Sequence, residues 1–322
     1  MRSNKTGEAF LCGRKKSYTN RLERYVLDLL GSMTIRDVSY NLGMNWNTVK
    51  QIQKKYLEKH YSKPRLKGVK YIAIDEFALR KGHKYMTVVY DLEAGRAIYV
   101  TEGRESEGLN KFWKRIKSSG AKIKAVAMDM WPAYLKSVMD SNINVKIIFD
   151  RFHIIRKMNV VLDETRRGLY KEETEINKRK LVKGIRWLLL KREDNLDKGK
   201  EERKRLEEAL RVNQPLAEAY YLKEELNLLW RQKDAKQAER FLTGWVARAR
   251  ATKIQSLIKF GNMLHSHRTG IFNWYQHSIS TGPLEGFNNK IKVLKRKAYG
   301  YRDYYFFKLK IYALHETRYA LL

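Results

Sequence analysis

The sequence is poor in cysteine, in proline and in long apolar runs, and each shortage excludes a class of protein. Cys12 is the only cysteine in 322 residues, so an intrachain disulfide and an all-cysteine zinc site cannot form. The four prolines leave no Pro-rich linker. The longest apolar stretch, residues 185–190, is interrupted by Arg186 and falls far short of the ~20 residues of a membrane span. Residues 1–20 also lack the apolar segment of a secretory signal. We therefore expect a reducing compartment.

Acidic residues are also scarce relative to basic ones. Lys and Arg number 67 against 35 Asp and Glu, a formal net charge of +32. A charge this large indicates a polyanionic partner. A hydrophobic fraction of 43% provides enough apolar material for a packed core. The length predicts two or three domains.

The charge is unevenly distributed along the chain. Residues 1–68 hold 15 Lys and Arg against 5 acids, and residues 241–322 hold 14 against 3. The 17 acids of residues 163–240 are interleaved with bases in runs of helix-forming composition. We interpret that stretch as solvated helical faces between two basic ends.

The basic N-terminal part has the pattern of a helix-turn-helix. Apolar residues recur at helical spacing over residues 21–30. Thr34 is a suitable N-cap for a second helix that ends near Leu42, and Gly43 suits a left-handed turn. A third helix is predicted from about Asn45 to Leu57, and a generic helical hairpin is the alternative. The residues predicted to face DNA from this helix are Asn45, Trp46, Asn47, Lys50, Gln51 and Lys54.

The middle of the chain predicts strand, strand, strand, helix, strand, helix, strand. The strands are predicted at residues 69–75, 85–90, 96–101, 123–128 and 145–149, and the helices at residues 106–118 and 132–139. This order is typical of ribonuclease H-like nucleases and integrases. Residues 155–275 show no strand pattern and are predicted to be helical. Trp230 and Trp245 lie there at helical spacing, which favours core positions over base stacking.

Carboxylates at predicted strand ends indicate a metal site. Asp75 ends the first predicted strand and Asp129 follows the fourth, and neighbouring strands would bring both to one sheet edge. Glu285 lies in the first turn of a helix that Pro283 opens. Paired carboxylates suit divalent cations, and two such ions can promote phosphodiester cleavage.

Other carboxylates compete for these roles. Glu76 would point to the opposite side of its strand, and Asp91 ends the second strand, away from the fourth. Asp150 ends the fifth strand and is the reserve ligand, with His153 three residues later. A zinc site is not expected around His153, because no cysteine or second histidine is near it.

Four sequence runs resemble the DDE transposases of the bacterial ISL-three insertion-sequence family. They are AIDEFALRKGHKY (73–85), AMDMWPAY (127–134), FDRFHI (149–154) and STGPLEGFNNKIKVLKRKAYGYRD (280–303). The resemblance covers nearly the whole chain. It implies a ribonuclease H-like core with a large helical insertion before the last catalytic residue.

The resemblance also implies roles for individual residues. Asp75, Asp129 and Glu285 match the catalytic, metal-binding triad, which would hold two Mg²⁺ or Mn²⁺ ions. Asp150 and His153 match an Asp-x-x-His element of related transposases. A second set of DNA contacts is expected on the Glu285 helix, namely Asn289, Lys292, Lys295, Arg296 and Lys297.

The sequence departs from the family pattern in two places. An N-terminal zinc ribbon is usual, whereas here Cys12 alone resembles its tail. Thr281 occupies the arginine position of the broader Tyr-x-x-Arg-x-x-x-Glu signature.

The sequence as a whole predicts an α/β fold: a ribonuclease H-like catalytic core interrupted by an all-α insertion, with an N-terminal helix-turn-helix domain. The predicted parts are a basic segment at 1–20, the helix-turn-helix at 21–62, the core at 63–155 and 276–322, and the insertion at 156–275. We expect a cytoplasmic, nucleoid-associated transposase that binds double-stranded terminal inverted repeats and target DNA as a homodimer. The alternatives are a DNA-binding regulator, an inactive element copy, and a ribonuclease H-like nuclease without strand transfer.

Overall fold

The computed structural model describes residues 18–80, 84–197 and 199–315. Cys12 and most of the predicted basic segment 1–20 lie outside the described residues. Contacts divide the chain into two compact units. Among the described residues, the first unit contains those up to Val126, Pro132–Asn144 and those from Thr281, and the second contains those of Ala127–Trp131 and Val145–Ser280.

The described chain begins with the three predicted helices, α1 (Asn20–Leu29), α2 (Ile35–Asn41) and α3 (Trp46–Tyr61). Thr34 caps α2 in a reciprocal arrangement with Asp37, in which each side chain accepts the backbone N–H of the other residue. Gly43 has a φ of 60°, the left-handed conformation predicted for the turn. Asn45 caps α3 by accepting the N–H of Asn47. Helix α3 runs one turn beyond the predicted end.

The corner between α2 and α3 is closed by a small core and one hydrogen bond. The buried residues are Val26, Leu30, Val38, Val49 and Ile52. The Ser39 hydroxyl donates to the Met44 carbonyl at 2.6 Å. The small side chain of Ser39 therefore lets α2 and α3 approach closely, and its hydroxyl satisfies a backbone acceptor of the turn.

A five-stranded sheet is present in the described chain, with strand order β3-β2-β1-β4-β5. The strands are β1 (Tyr71–Arg80), β2 (Lys84–Asp91), β3 (Arg96–Glu102), β4 (Ala125–Met128) and β5 (Lys146–Phe149). The first three form an antiparallel meander, as predicted. The sheet and its helices confirm the predicted α/β fold class.

The prediction that β1 ends at Asp75 is wrong. The strand continues to Arg80, and Asp75 lies in its middle, opposite Val88 of β2. Pairing with β2 continues to Arg80 opposite Lys84, with an irregularity after Ala78. Strand β2 therefore supplies backbone hydrogen-bond partners to β1 beyond Asp75 and Glu76.

Helices α4 (Asn110–Ser119) and α5 (Pro132–Asp140) follow β3 and β4. A 3₁₀ turn at Ser106–Leu109 leads into α4. Helix α4 buries Phe112, Trp113 and Ile116. The Trp113 indole N–H donates to the Ser137 hydroxyl at 2.8 Å, which fixes α4 to α5.

The second unit is helical after β5, as predicted for the insertion. Its helices are α6 (Arg151–Glu172), α7 (Ile176–Gly184), α8 (Arg186–Leu190), α9 (Glu202–Arg211), α10 (Gln214–Leu226), α11 (Ala235–Ala251), α12 (Gln255–Ser266) and α13 (Arg268–Phe272). Trp230 and Trp245 are buried, which confirms the core interpretation. The Trp245 indole N–H donates to the Leu222 carbonyl.

Two helices complete the first unit, α14 (Gly282–Lys297) and α15 (Tyr304–Ala313). The inward face of α15 carries Phe306, Leu309 and Ala313, which pack with Leu57 of α3. In the described part of the chain, none of the helices has the length and apolar character needed to cross a membrane.

Candidate active site

Asp75 is held by its own strand and by α14. One carboxylate oxygen accepts the N–H of Glu76 at 2.8 Å, and the other accepts the Asn288 side-chain amide at 2.8 Å. Asn288 lies three residues after Glu285, so one helix carries both a predicted ligand and the group that orients another. Asn288 was not among the site residues predicted from the sequence.

The carbonyl oxygen of Asn288 has no hydrogen-bond partner in the described chain. The residue is 5% exposed, and this oxygen is buried. A buried acceptor without a donor is unfavourable, and a water molecule or a cation bound to this oxygen would satisfy it.

Glu285 is exposed in the first turn of α14, as predicted. Its backbone N–H donates to the Thr281 carbonyl at 2.9 Å. Ile291 and Leu294 are fully buried, so the apolar face of the helix points inward and fixes the outward direction of Glu285. A carboxylate at a helix N-terminus is also favoured by the helix dipole.

Asp129 directly follows β4, as predicted. One carboxylate oxygen accepts the Met130 N–H at 2.6 Å and lies 3.7 Å from the ammonium of Lys157. Lys157 is on α6, and no sequence pattern singled it out. Its charge partly offsets that of Asp129.

Asp150 and His153 form a contact, as their spacing allows. Asp150 is buried immediately before α6, and its carboxylate lies 3.2 Å from Nδ1 of His153. The Asp150 N–H donates to the Met128 carbonyl at 3.1 Å. Asp150 therefore connects the end of β4 to the start of α6, which carries His153.

The competing carboxylates Glu76 and Asp91 have structural partners. Glu76 accepts the Tyr134 hydroxyl at 2.8 Å. Burial, with the charge of Glu76, raises the pKa of Tyr134, which keeps this donor protonated. Asp91 accepts the N–H groups of Glu93 and Ala94 and so shapes the turn after β2.

The described residues contain no group of three His, Cys, Asp or Glu side chains that could hold a metal ion. Asp75 and Glu285 belong to the first unit, and Asp129 belongs to the second. The triad stays a prediction.

The predicted DNA-facing residues of α3 fall into two groups. Asn45, Trp46, Asn47 and Gln51 are exposed. Lys50 and Lys54 are partly buried, and both pair with Asp303, at 3.1 and 2.8 Å. The sequence did not predict this pairing, because Asp303 lies at the start of α15, far from α3 along the chain.

The predicted contacts on α14 also divide. Asn289, Lys292, Arg296 and Lys297 are exposed, and the Lys292 ammonium donates to Asn289 at 3.1 Å. Lys295 instead donates to the Ala78 carbonyl at 2.5 Å, and burial lowers its pKa. The role of these residues in DNA binding stays a prediction.

Comparisons with known proteins find relatives that match most of this chain. Residues 72–311 match the transposase family of ISL3 type, described as "Transposase", and residues 13–57 match the "Helix-turn-helix domain of transposase family ISL3". A transposase for insertion sequence element IS1001 of Bordetella parapertussis is 36% identical over 94% of this chain and 74% of its own length.

Two further proteins are more distant. A transposase for IS1557 of Mycobacterium tuberculosis is 24% identical over 74% of this chain and 58% of its own length. The Drosophila P element transposase strand transfer complex has a TM-score of 0.49 at 10% identity, covering 96% of this chain and 94% of that one.

The family match spans most of the chain, and the IS1001 relative exceeds 30% identity along almost all of it. The chain belongs to the ISL3 family of DDE transposases, enzymes that cleave DNA and transfer its strands.

Proposed function

We propose that this transposase binds the terminal inverted repeats of its insertion sequence and moves the element by metal-dependent cleavage and strand transfer, with Asp75, Asp129 and Glu285 as the catalytic triad. The observation that carries the proposal is the hydrogen bond from Asn288 to Asp75. It fixes one predicted ligand to the helix that carries another.

The DDE family implies dependence on a divalent metal ion, and the predicted ligands have the chemical type that binds one. The predicted ligands are carboxylate oxygens. The unpartnered carbonyl oxygen of Asn288 belongs to the residue that donates to Asp75 and that lies three positions after Glu285. Oxygen-only ligand sets favour Mg²⁺ or Mn²⁺. We propose two such ions, held by the triad, which would activate the attacking oxygen and stabilise the leaving one.

The proposed chemistry has two displacements at phosphorus. Water attacks the phosphodiester at the element end, and the 3′ oxygen leaves as a hydroxyl. That hydroxyl then attacks a target phosphodiester, and the target's own 3′ oxygen leaves. Neither step needs a covalent bond to the protein.

Recognition of the terminal repeats is assigned to α3. Its first turn exposes Asn45, Trp46 and Asn47, and amide side chains pair well with adenine in the major groove. We further propose a homodimer that joins two element ends, acting in the cytoplasm at the nucleoid, where its DNA substrates lie.

The test is strand joining on a duplex that carries an element end, with Mg²⁺ supplied. Asp129→Asn and Glu285→Gln should each lower joining by at least about 10³-fold, because loss of a charged metal ligand removes transition-state stabilisation. Duplex binding should persist. Asp140→Asn, an exposed carboxylate change on α5, is the matched control.

Three outcomes contradict the proposal. Strand joining that survives either triad substitution contradicts the assignment of the catalytic triad. Mg²⁺-dependent cutting without joining makes the chain a nuclease. Binding without any chemistry in the unaltered protein makes it a regulator or an inactive copy.

A further inference from the structure

A cleft of about 1260 Å³ lies within the first unit, among α2, α3, the end of β1 and the segment that connects α14 to α15. Seven Lys and Arg residues line it against two Asp residues. Asp37 closes the Thr34 capping box, and Asp303 pairs with Lys50. The basic residues left without an ion pair in the described chain define what we call the basic cleft: Arg36, Arg80, Arg296, Lys297, Arg302 and Lys310.

Lys310 is the least expected member of the basic cleft. It lies on α15, is 1% exposed, and its ammonium is 5.2 Å from the ring centre of Phe306. No carboxylate pairs with it among the described residues. Burial lowers its pKa to about 7. A buried cation without an anion is unfavourable. An anion that enters the cleft would form the ion pair that the Lys310 ammonium lacks in the described chain.

The extent of the basic cleft indicates a chain of phosphates and not a single small anion. Its cations extend from Arg36 on α2 to Lys297 at the end of α14. Trp46 and Tyr299 line the same cleft and are 45% and 101% exposed. Cations combined with exposed aromatic rings are typical of surfaces that follow a nucleic-acid strand.

We propose that the basic cleft binds the sugar–phosphate backbone of the DNA that α3 contacts, with Lys310 donating to one phosphate. The inference rests on the proposed function and adds to it a phosphate contact at Lys310, which no motif indicated. Because the cleft touches both α3 and α14, one DNA strand would fix the recognition helix and the Glu285 helix together.

The test uses Lys310→Met in the full chain, with duplex affinity measured by fluorescence anisotropy between about 50 and 200 mM salt. Each lost phosphate contact should reduce the slope of log affinity against log salt by about 0.9. The loss should be equal on terminal-repeat and unrelated duplexes, since a phosphate contact carries no sequence information. Lys308→Met is the matched control, because Lys308 lies on the same helix but packs over the rings of Tyr99 and Tyr312.

The melting temperature of free Lys310→Met should equal or exceed that of the unaltered protein, because a buried unpaired charge is removed. If the variant fails to fold, Arg302→Ala replaces an exposed member of the basic cleft and should reduce the slope similarly.

An unchanged slope in the folded variants overturns the inference while leaving the proposed function intact. So does stabilisation of the unaltered protein by inorganic phosphate with no change of slope in Lys310→Met, which would assign the cleft to a free anion. Failure of the unaltered protein to bind any duplex contradicts the proposed function itself.

Discussion

At the scale of single residues, the amide of Asn288 does two different things. Its NH₂ group donates to Asp75, while its carbonyl oxygen is buried without a donor. The hydrogen bond fixes the direction of the Asp75 carboxylate. Removal of a group that orients a metal ligand typically lowers metal affinity about 10- to 100-fold.

Asn288→Ala should therefore weaken Mn²⁺ binding about 10- to 100-fold, because Asp75 loses its orienting donor. Titration calorimetry with Mn²⁺ on the DNA-free protein measures this directly. Asn289→Ala changes the adjacent, exposed asparagine of the same helix and should leave the affinity unchanged. Equal Mn²⁺ affinity in Asn288→Ala and the unaltered protein would show that the contact does not serve the metal site.

The sequence predicted some contacts of these carboxylates and missed others. The positions of Asp129 after β4 and Glu285 in the first turn of α14 follow from local strand and proline signals. The contact between Asn288 and Asp75 joins residues 213 positions apart. Helical spacing predicts the face of α14 on which Asn288 lies. It does not predict the contact with Asp75, which depends on how α14 packs against β1.

At the scale of elements, α3 and α15 are joined through Asp303. Its carboxylate caps α15 by accepting the Phe306 N–H, and it pairs with Lys50 and Lys54 of α3. Burial alone would raise the pKa of Asp303. The hydrogen bonds from Lys54, Phe306 and Lys50 outweigh it and lower the pKa from 3.8 to about 2.

Asp303→Asn should destabilise the fold by about 1 kcal/mol near neutral pH. Asparagine can still cap the helix, so the change removes the charge pairing alone. A depressed carboxyl pKa stabilises the fold above the unfolded value and loses this effect as pH falls. The difference between variant and unaltered protein should thus be constant above about pH 5 and vanish toward pH 2.

Urea unfolding across this pH range measures the difference. Asp28→Asn, an exposed change on α1, is the control and should show little effect at any pH. A difference for Asp303→Asn that stays constant to the lowest pH would mean that its charge does not stabilise the fold.

Local signals predicted the first three helices but not the length of β1. Thr34 and Gly43 mark helix ends by their own chemistry, so α2 and its turn were predictable. Asp75 and Glu76 read as a strand end because charged residues are rare inside strands. Pairing with β2 and the partners Asn288 and Tyr134 allow the strand to continue.

At the scale of the whole molecule, the net charge of +32 is concentrated toward the two ends of the sequence. The residues that line the basic cleft come from both ends, residues 32–50 and 296–310 among them. The 17 acids of residues 163–240 belong to the second unit. Non-specific attraction to DNA is thus expected mainly from the first unit.

Duplex affinity of the unaltered protein should fall about 10³- to 10⁵-fold between about 50 and 200 mM salt, the range for six to ten phosphate contacts. Filter binding or anisotropy with terminal-repeat and scrambled duplexes measures it. The two duplexes should lose affinity in parallel, because counterion release is independent of sequence. A loss below about tenfold would show that the charge is not used on DNA.

The separation between Asp75 and Asn288 also sets an order of events during synthesis. The helices α1 to α3 precede Asp75 in the chain and have a core of their own, whereas Asn288, the partner of Asp75, is translated 213 residues after Asp75. At about 5–20 residues per second, that delay is roughly 10–40 s. During this interval a nascent chain already carries α3, the proposed recognition helix, but lacks α14, which carries the proposed ligand Glu285. If both proposals hold, the ability to find DNA precedes the ability to cut it.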